Sequence, residues 1–88
     1  MDERRLHSRT RIFKAAKIVS AGHLDDCVVR DISAAGARLV MVSTSDIPDI
    51  FDLSFDRART LRRCRVVWRT TMEIGLQFER DSFRPAPA

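Results

Sequence analysis

Three stretches in the second half of the chain alternate apolar and polar residues with a period of two. Phe51, Leu53 and Phe55 share one face against Asp52, Ser54 and Asp56. Cys64, Val66 and Trp68 share another, with Arg63, Arg65 and Arg69 opposite, and Ile74, Leu76 and Phe78 alternate with Gly75, Gln77 and Glu79. Side chains of a strand point to opposite faces in turn, so this pattern describes half-buried antiparallel strands. Thr70 to Glu73 is short enough to be a tight hairpin. The first half adds three shorter apolar runs, Ile12–Val19, Cys27–Arg30 and Ala37–Val42, separated by turn residues at Gly22, Asp25-Asp26 and Asp31–Gly36. Pro48 marks the Ser43–Asp49 loop, because proline cannot serve a central strand. Six short strands and no long helical pattern predict an all-β domain, a small barrel or a sandwich. Closure into a barrel would also remove the exposed edges of so small a sheet.

With 88 residues the chain has room for one core. The reading divides it into a flexible arginine-rich arm (1–11), a β-domain (12–80) and a frayed tail (81–88) ending Pro-Ala-Pro-Ala. No apolar run approaches the roughly 20 residues of a membrane helix. The opening MDERRLHSRTR lacks the apolar stretch of a signal peptide. The expected compartment is the cytoplasm, without membrane insertion. Cys27 and Cys64 fit no metal spacing and sit in apolar runs, so both are expected as reduced core residues.

Catalytic chemistry is not visible. His7 and His23 lack partners at metal or triad spacing, no serine sits in a nucleophile elbow, and three glycines make no phosphate loop. The carboxylates Asp46, Asp49, Asp52 and Asp56 read as a loop and a solvated strand face. The expectation is a binding protein, not an enzyme, with neither metal nor cofactor. The charge is informative in kind: fourteen arginines stand against two lysines. Arginine carries a planar fork that matches phosphates and guanine edges, where lysine offers a point charge.

Two motifs draw on that chemistry. Arg5-Leu6-His7-Ser8-Arg9 is an Arg-x-x-x-Arg, preceded by Arg4. Asp31-Ile32-Ser33-Ala34-Ala35-Gly36 is an Asp-x-Ser-x-x-Gly turn following a strand. In this order, and with the late strands Cys64–Arg69 and Ile74–Phe78, they resemble the PilZ family over roughly residues 3 to 80. Both motifs are filled at every position, while the short tail leaves little room for the C-terminal helix of some members. The resemblance implies a six-stranded antiparallel β-barrel that binds cyclic di-GMP, with Arg4, Arg5, Arg9, Asp31, Ser33 and Gly36 as its site.

The chemistry agrees with that implication. Arginine forks suit the O6/N7 edge of guanine, its face, or a phosphate. Asp31 is the expected acceptor for guanine N–H groups, and Ser33 can donate or accept. Gly36 is expected to allow a positive φ or a close approach of ligand to main chain. The implied mechanism is a switch: ligand ties the arm to the barrel and presents a new surface to an unidentified downstream protein. Trp68 is expected in the core by its alternation with Cys64 and Val66. The arginines from Arg57 to Arg69 are expected as a solvated or partner-facing surface. Two other readings are a nucleotide-independent interaction module and a small RNA- or single-stranded-DNA-binding barrel. The second is disfavoured because such sites stack bases on exposed aromatics, and the five phenylalanines fall mostly on inward faces.

Overall fold

The structure, a computed structural model, describes residues 9–86. It contains strands β1 (Thr10–Ser20), β2 (His23–Ile32), β3 (Gly36–Val40), β4 (Ile50–Ser54), β5 (Thr60–Arg69), β6 (Glu73–Phe78) and a two-residue β7 (Arg84–Pro85). The sheet runs β4-β1-β2-β3-β6-β5-β7, and β4 also pairs with β5, so the first six strands close into an antiparallel barrel. The all-β, six-stranded expectation therefore holds, and of the two architectures open to the sequence it is the barrel.

The core is the inward alternation made solid. Ile18, Val29, Leu39, Leu53, Cys64 and Ile74 are completely or almost completely buried. Cys27 and Cys64 are free and buried, and burial pushes both thiols up to about 12. Ala21 and Gly22 both have positive φ (46° and 82°), the pair that a two-residue type I′ hairpin between β1 and β2 requires. The Met41–Asp49 loop covers one end of the barrel with Met41, Thr44 and Ile47, all buried. Arg69 holds it there, donating to the carbonyls of Thr44 (2.8 Å) and Ile47 (2.7 Å) and to Asp49 (2.9 Å). This arginine is a structural tie rather than part of a solvated surface.

Several boundaries differ from the sequence reading. β1 begins at Thr10 rather than Ile12, because its first residues pair with Asp31 and Ile32. Arg84 and Pro85, assigned to the tail, pair with Leu61 and Thr60, and Arg84 donates to Asp52 at 2.9 Å. Ser54 was placed on the solvent face but is 1% exposed. Its hydroxyl accepts from the amides of Asp56 and Ala58, so it caps the following loop from within.

The largest departure comes from bulges. Register shifts fall between Arg11 and Lys14, between Val29 and Asp31, and between Val66 and Trp68. A bulge adds one residue and turns the next side chain to the other face. Trp68 is the visible casualty. Val67 is the extra residue, so Trp68 leaves the inward row of Cys64 and Val66, pairs with Gly75, and is 41% exposed. Its indole lies where a Cβ on Gly75 would stand, 2.1 Å from the indole nitrogen. Phe13 and Phe83 are also exposed, so only Phe51 and Phe78 of the five phenylalanines are fully inward.

Candidate functional site

The Arg30 bulge in β2 does for Asp31 what the Val67 bulge does for Trp68. Strict alternation after Cys27 and Val29 would send Asp31 into the core. The shift instead pairs Asp31 with Arg38 on β3 and Arg11 on β1, while Ile32 pairs with the buried Ala37. Asp31 thus projects from the outer face of the barrel. One cross-strand row on that face reads Arg11, Asp31, Arg38, Gly75, Trp68.

Asp31 is nevertheless only 5% exposed, because two arginines cover it. Arg9 donates to one carboxylate oxygen at 2.6 Å and the Nε of Arg38 to the other at 2.9 Å. Each carboxylate oxygen thus has a charge-assisted partner that offsets its removal from water. Arg9 itself remains well exposed, with 58% of its side chain accessible.

The following turn is held by Ser33. Its hydroxyl accepts from the amides of Ala35 (3.3 Å) and Gly36 (3.2 Å), and its own amide donates to the Gly36 carbonyl at 2.8 Å. Gly36 has no positive φ. A Cβ there would stand 2.1 Å from the carbonyl oxygen of Leu76, so glycine is needed for the approach of β3 to β6. The neighbour that demands it is main chain of the barrel itself.

Arg9, Ser33, Ala35, Gly36, Val67, Leu76 and Gln77 line a shallow groove of about 290 Å³. Across Ala35 and Gln77 lies a larger cleft of about 520 Å³, lined by Ala34, Arg62, Arg65, Phe78, Glu79, Arg80 and Asp81 as well. Of the six residues singled out from sequence, the fold brings together Arg9, Asp31, Ser33 and Gly36; Arg4 and Arg5 lie outside the described residues. Arg38, Gln77 and Trp68 join this face and were missed. Arg38 was within reach, since the alternation of Ala37, Arg38 and Leu39 after the turn already sends it outward. Trp68 was not, because no composition rule marks a bulge.

Among the described residues no group of three His, Cys, Asp or Glu could hold a metal ion, and no helix is long and apolar enough to cross a membrane. The PilZ domain model matches residues 3–84 of the chain, nearly its whole length. The chain belongs to the PilZ domain family. PilZ domains are binding modules, and the family is in general one of cyclic di-GMP binders. No match is found among curated proteins.

Proposed function

We propose that this PilZ domain is a cyclic di-GMP receptor of the cytoplasm, with Arg4, Arg5, Arg9, Asp31, Ser33 and Gly36 at its site and no catalytic role. The observation that carries the reading is the covered carboxylate: Asp31 is gripped by Arg9 and Arg38 beside a groove that Ser33 and Gly36 help to line. An ionised carboxylate has about four lone-pair sites, so with two arginines bound Asp31 still has capacity for guanine N–H donors. Arg9 uses one terminal nitrogen on Asp31 and keeps others for a guanine edge or a phosphate. The ligand, carrying two phosphates, draws the N-terminal arginines onto the barrel. The ordered segment then forms part of the surface that a downstream protein reads. No dissociable cofactor takes part.

Arg9 is therefore already committed to the barrel before ligand arrives, which favours a pre-set site over one assembled entirely by the ligand. A ligand shifts the switch only by its differential affinity for the two states. Calorimetric titration with cyclic di-GMP, with GTP and cyclic GMP as controls, tests this. Tighter binding of cyclic di-GMP than of either control, lost in an Arg5→Ala/Arg9→Ala variant, supports the receptor. No binding by the intact chain would turn the reading to a nucleotide-independent interaction module. The exposed Phe13, Trp68 and Phe83 give the single-strand reading more than the sequence allowed it. A steep fall of oligonucleotide affinity with salt is its signature.

A further inference from the structure

The groove beside Asp31 is small for a cyclic dinucleotide. At about 290 Å³ it sits at the lower end of small-molecule sites, which run from about 300 to 1,000 Å³. Its ligand carries two bases, two riboses and two phosphates. The larger cleft of about 520 Å³ begins where the groove ends, with Ala35 and Gln77 belonging to both.

Register places the cleft relative to the motif. Gly36 pairs with Gln77, and Gln77 pairs with Arg65, so these three form one cross-strand row. At about 4.8 Å between neighbouring strands, Arg65 stands roughly 10 Å from Gly36. Between them the row holds only the exposed Gln77. Arg65 is 59% accessible, and among the described residues its one side-chain partner is Glu79 at a long 3.3 Å, a surface pair that a better acceptor can displace.

Arg62 backs it from the barrel mouth. It pairs with the buried Leu53, so it points inward, and its guanidinium stacks on the Phe78 ring at 4.2 Å. Its Nε is buried with no acceptor among the described residues. A buried polar donor of this kind favours an anion close by. Arg80 adds a third cation to the wall, against Glu79 and Asp81.

We propose that the cleft is the second half of the ligand site, and that Arg65 is its specificity residue, taking the second phosphate or guanine edge of a cyclic dinucleotide. The inference rests on the receptor reading above. Arg9 and the Ser33–Gly36 turn hold one nucleotide unit; Arg65, with Arg62 behind it, holds the other. A mononucleotide fills the first half alone.

The test titrates the full chain and three variants, Arg65→Gln, Arg63→Gln and Arg9→Ala, with cyclic di-GMP and cyclic GMP, followed by amide NMR shifts. Arg63 lies on the same strand but outside the cleft, so it controls for bulk charge. Arg65→Gln is expected to weaken cyclic di-GMP by about tenfold, the scale of one good bidentate contact, and to leave cyclic GMP unchanged. Arg9→Ala is expected to weaken both. Shifts at Phe78–Asp81 should follow cyclic di-GMP only. If Arg65→Gln matches Arg63→Gln, or weakens both ligands alike, the two-part site is wrong while the receptor reading stands. If the intact chain binds no cyclic di-GMP, the receptor reading itself falls and takes this one with it.

Discussion

Two turns of this barrel are built from the same parts and do different work. In the β2–β3 turn Ser33 accepts from the amides of Ala35 and Gly36. In the loop after β4, Ser54 accepts from the amides of Asp56 and Ala58. Each has an aspartate two residues from its serine. Asp56 spends its carboxylate locally, on the Thr60 amide at 2.8 Å and the Ser54 hydroxyl at 2.8 Å. Asp31 turns away from its own turn and binds arginines 22 and 7 residues distant. Turn chemistry is therefore neutral as to function. What distinguishes the candidate site is that long-range cations reach the carboxylate, and a bulge at Arg30 aims it at them.

That contrast can be broken by exchange. Asp31→Ala should abolish detectable cyclic di-GMP binding and cost about 2 kcal/mol of stability, since two arginines lose their buried partner. Asp56→Ala should leave binding intact. Calorimetry with denaturant melts separates the two, and a binding loss in Asp56→Ala would dissolve the distinction. Gly36→Ala should cost about 1–3 kcal/mol, because the new Cβ meets the Leu76 carbonyl oxygen and main chain must shift. An unchanged midpoint in urea would show that β3 and β6 can part freely.

The serines should rank next. Ser54→Ala removes a hydroxyl that is 1% exposed and serves three partners, for about 1–2 kcal/mol. Ser33→Ala acts on a half-buried hydroxyl with longer bonds, for about 0.5–1 kcal/mol. Thermal unfolding of the pair tests the order.

The smallest effect is acidic. Hydrogen bonds from Thr60 first, then Ser54, hold the Asp56 carboxyl at about 2, below its ordinary 3.8. Its contribution to stability is thus complete above pH 3.8 and fades as pH falls through 2. NMR titration of that carboxyl reads it directly.

Much of this fold was legible because alternation reports which face is wet. Phe51, Leu53, Ile74 and Leu76 lie where their spacing put them. Asp31 and Ser33 were legible as a motif. Trp68 was misplaced because it stands beyond the Val67 bulge, where counting by two no longer describes the face; Arg38 was overlooked although the alternation of Ala37, Arg38 and Leu39 already sends it outward. Arg69 and Arg62 were misread as surface because charge suggests water. At a barrel's ends an inward arginine can reach carbonyls, as Arg69 does, or an aromatic ring, as Arg62 does.

The Val67 bulge has an optical consequence. Trp68 is the only tryptophan, and the chain has no tyrosine, so nearly all near-ultraviolet emission originates from one indole on the face that carries Asp31 and Arg38. That indole is already 41% exposed in the folded chain. Its fluorescence should respond weakly to unfolding and strongly to anything that settles on the barrel wall, making the protein its own unlabelled reporter of occupancy.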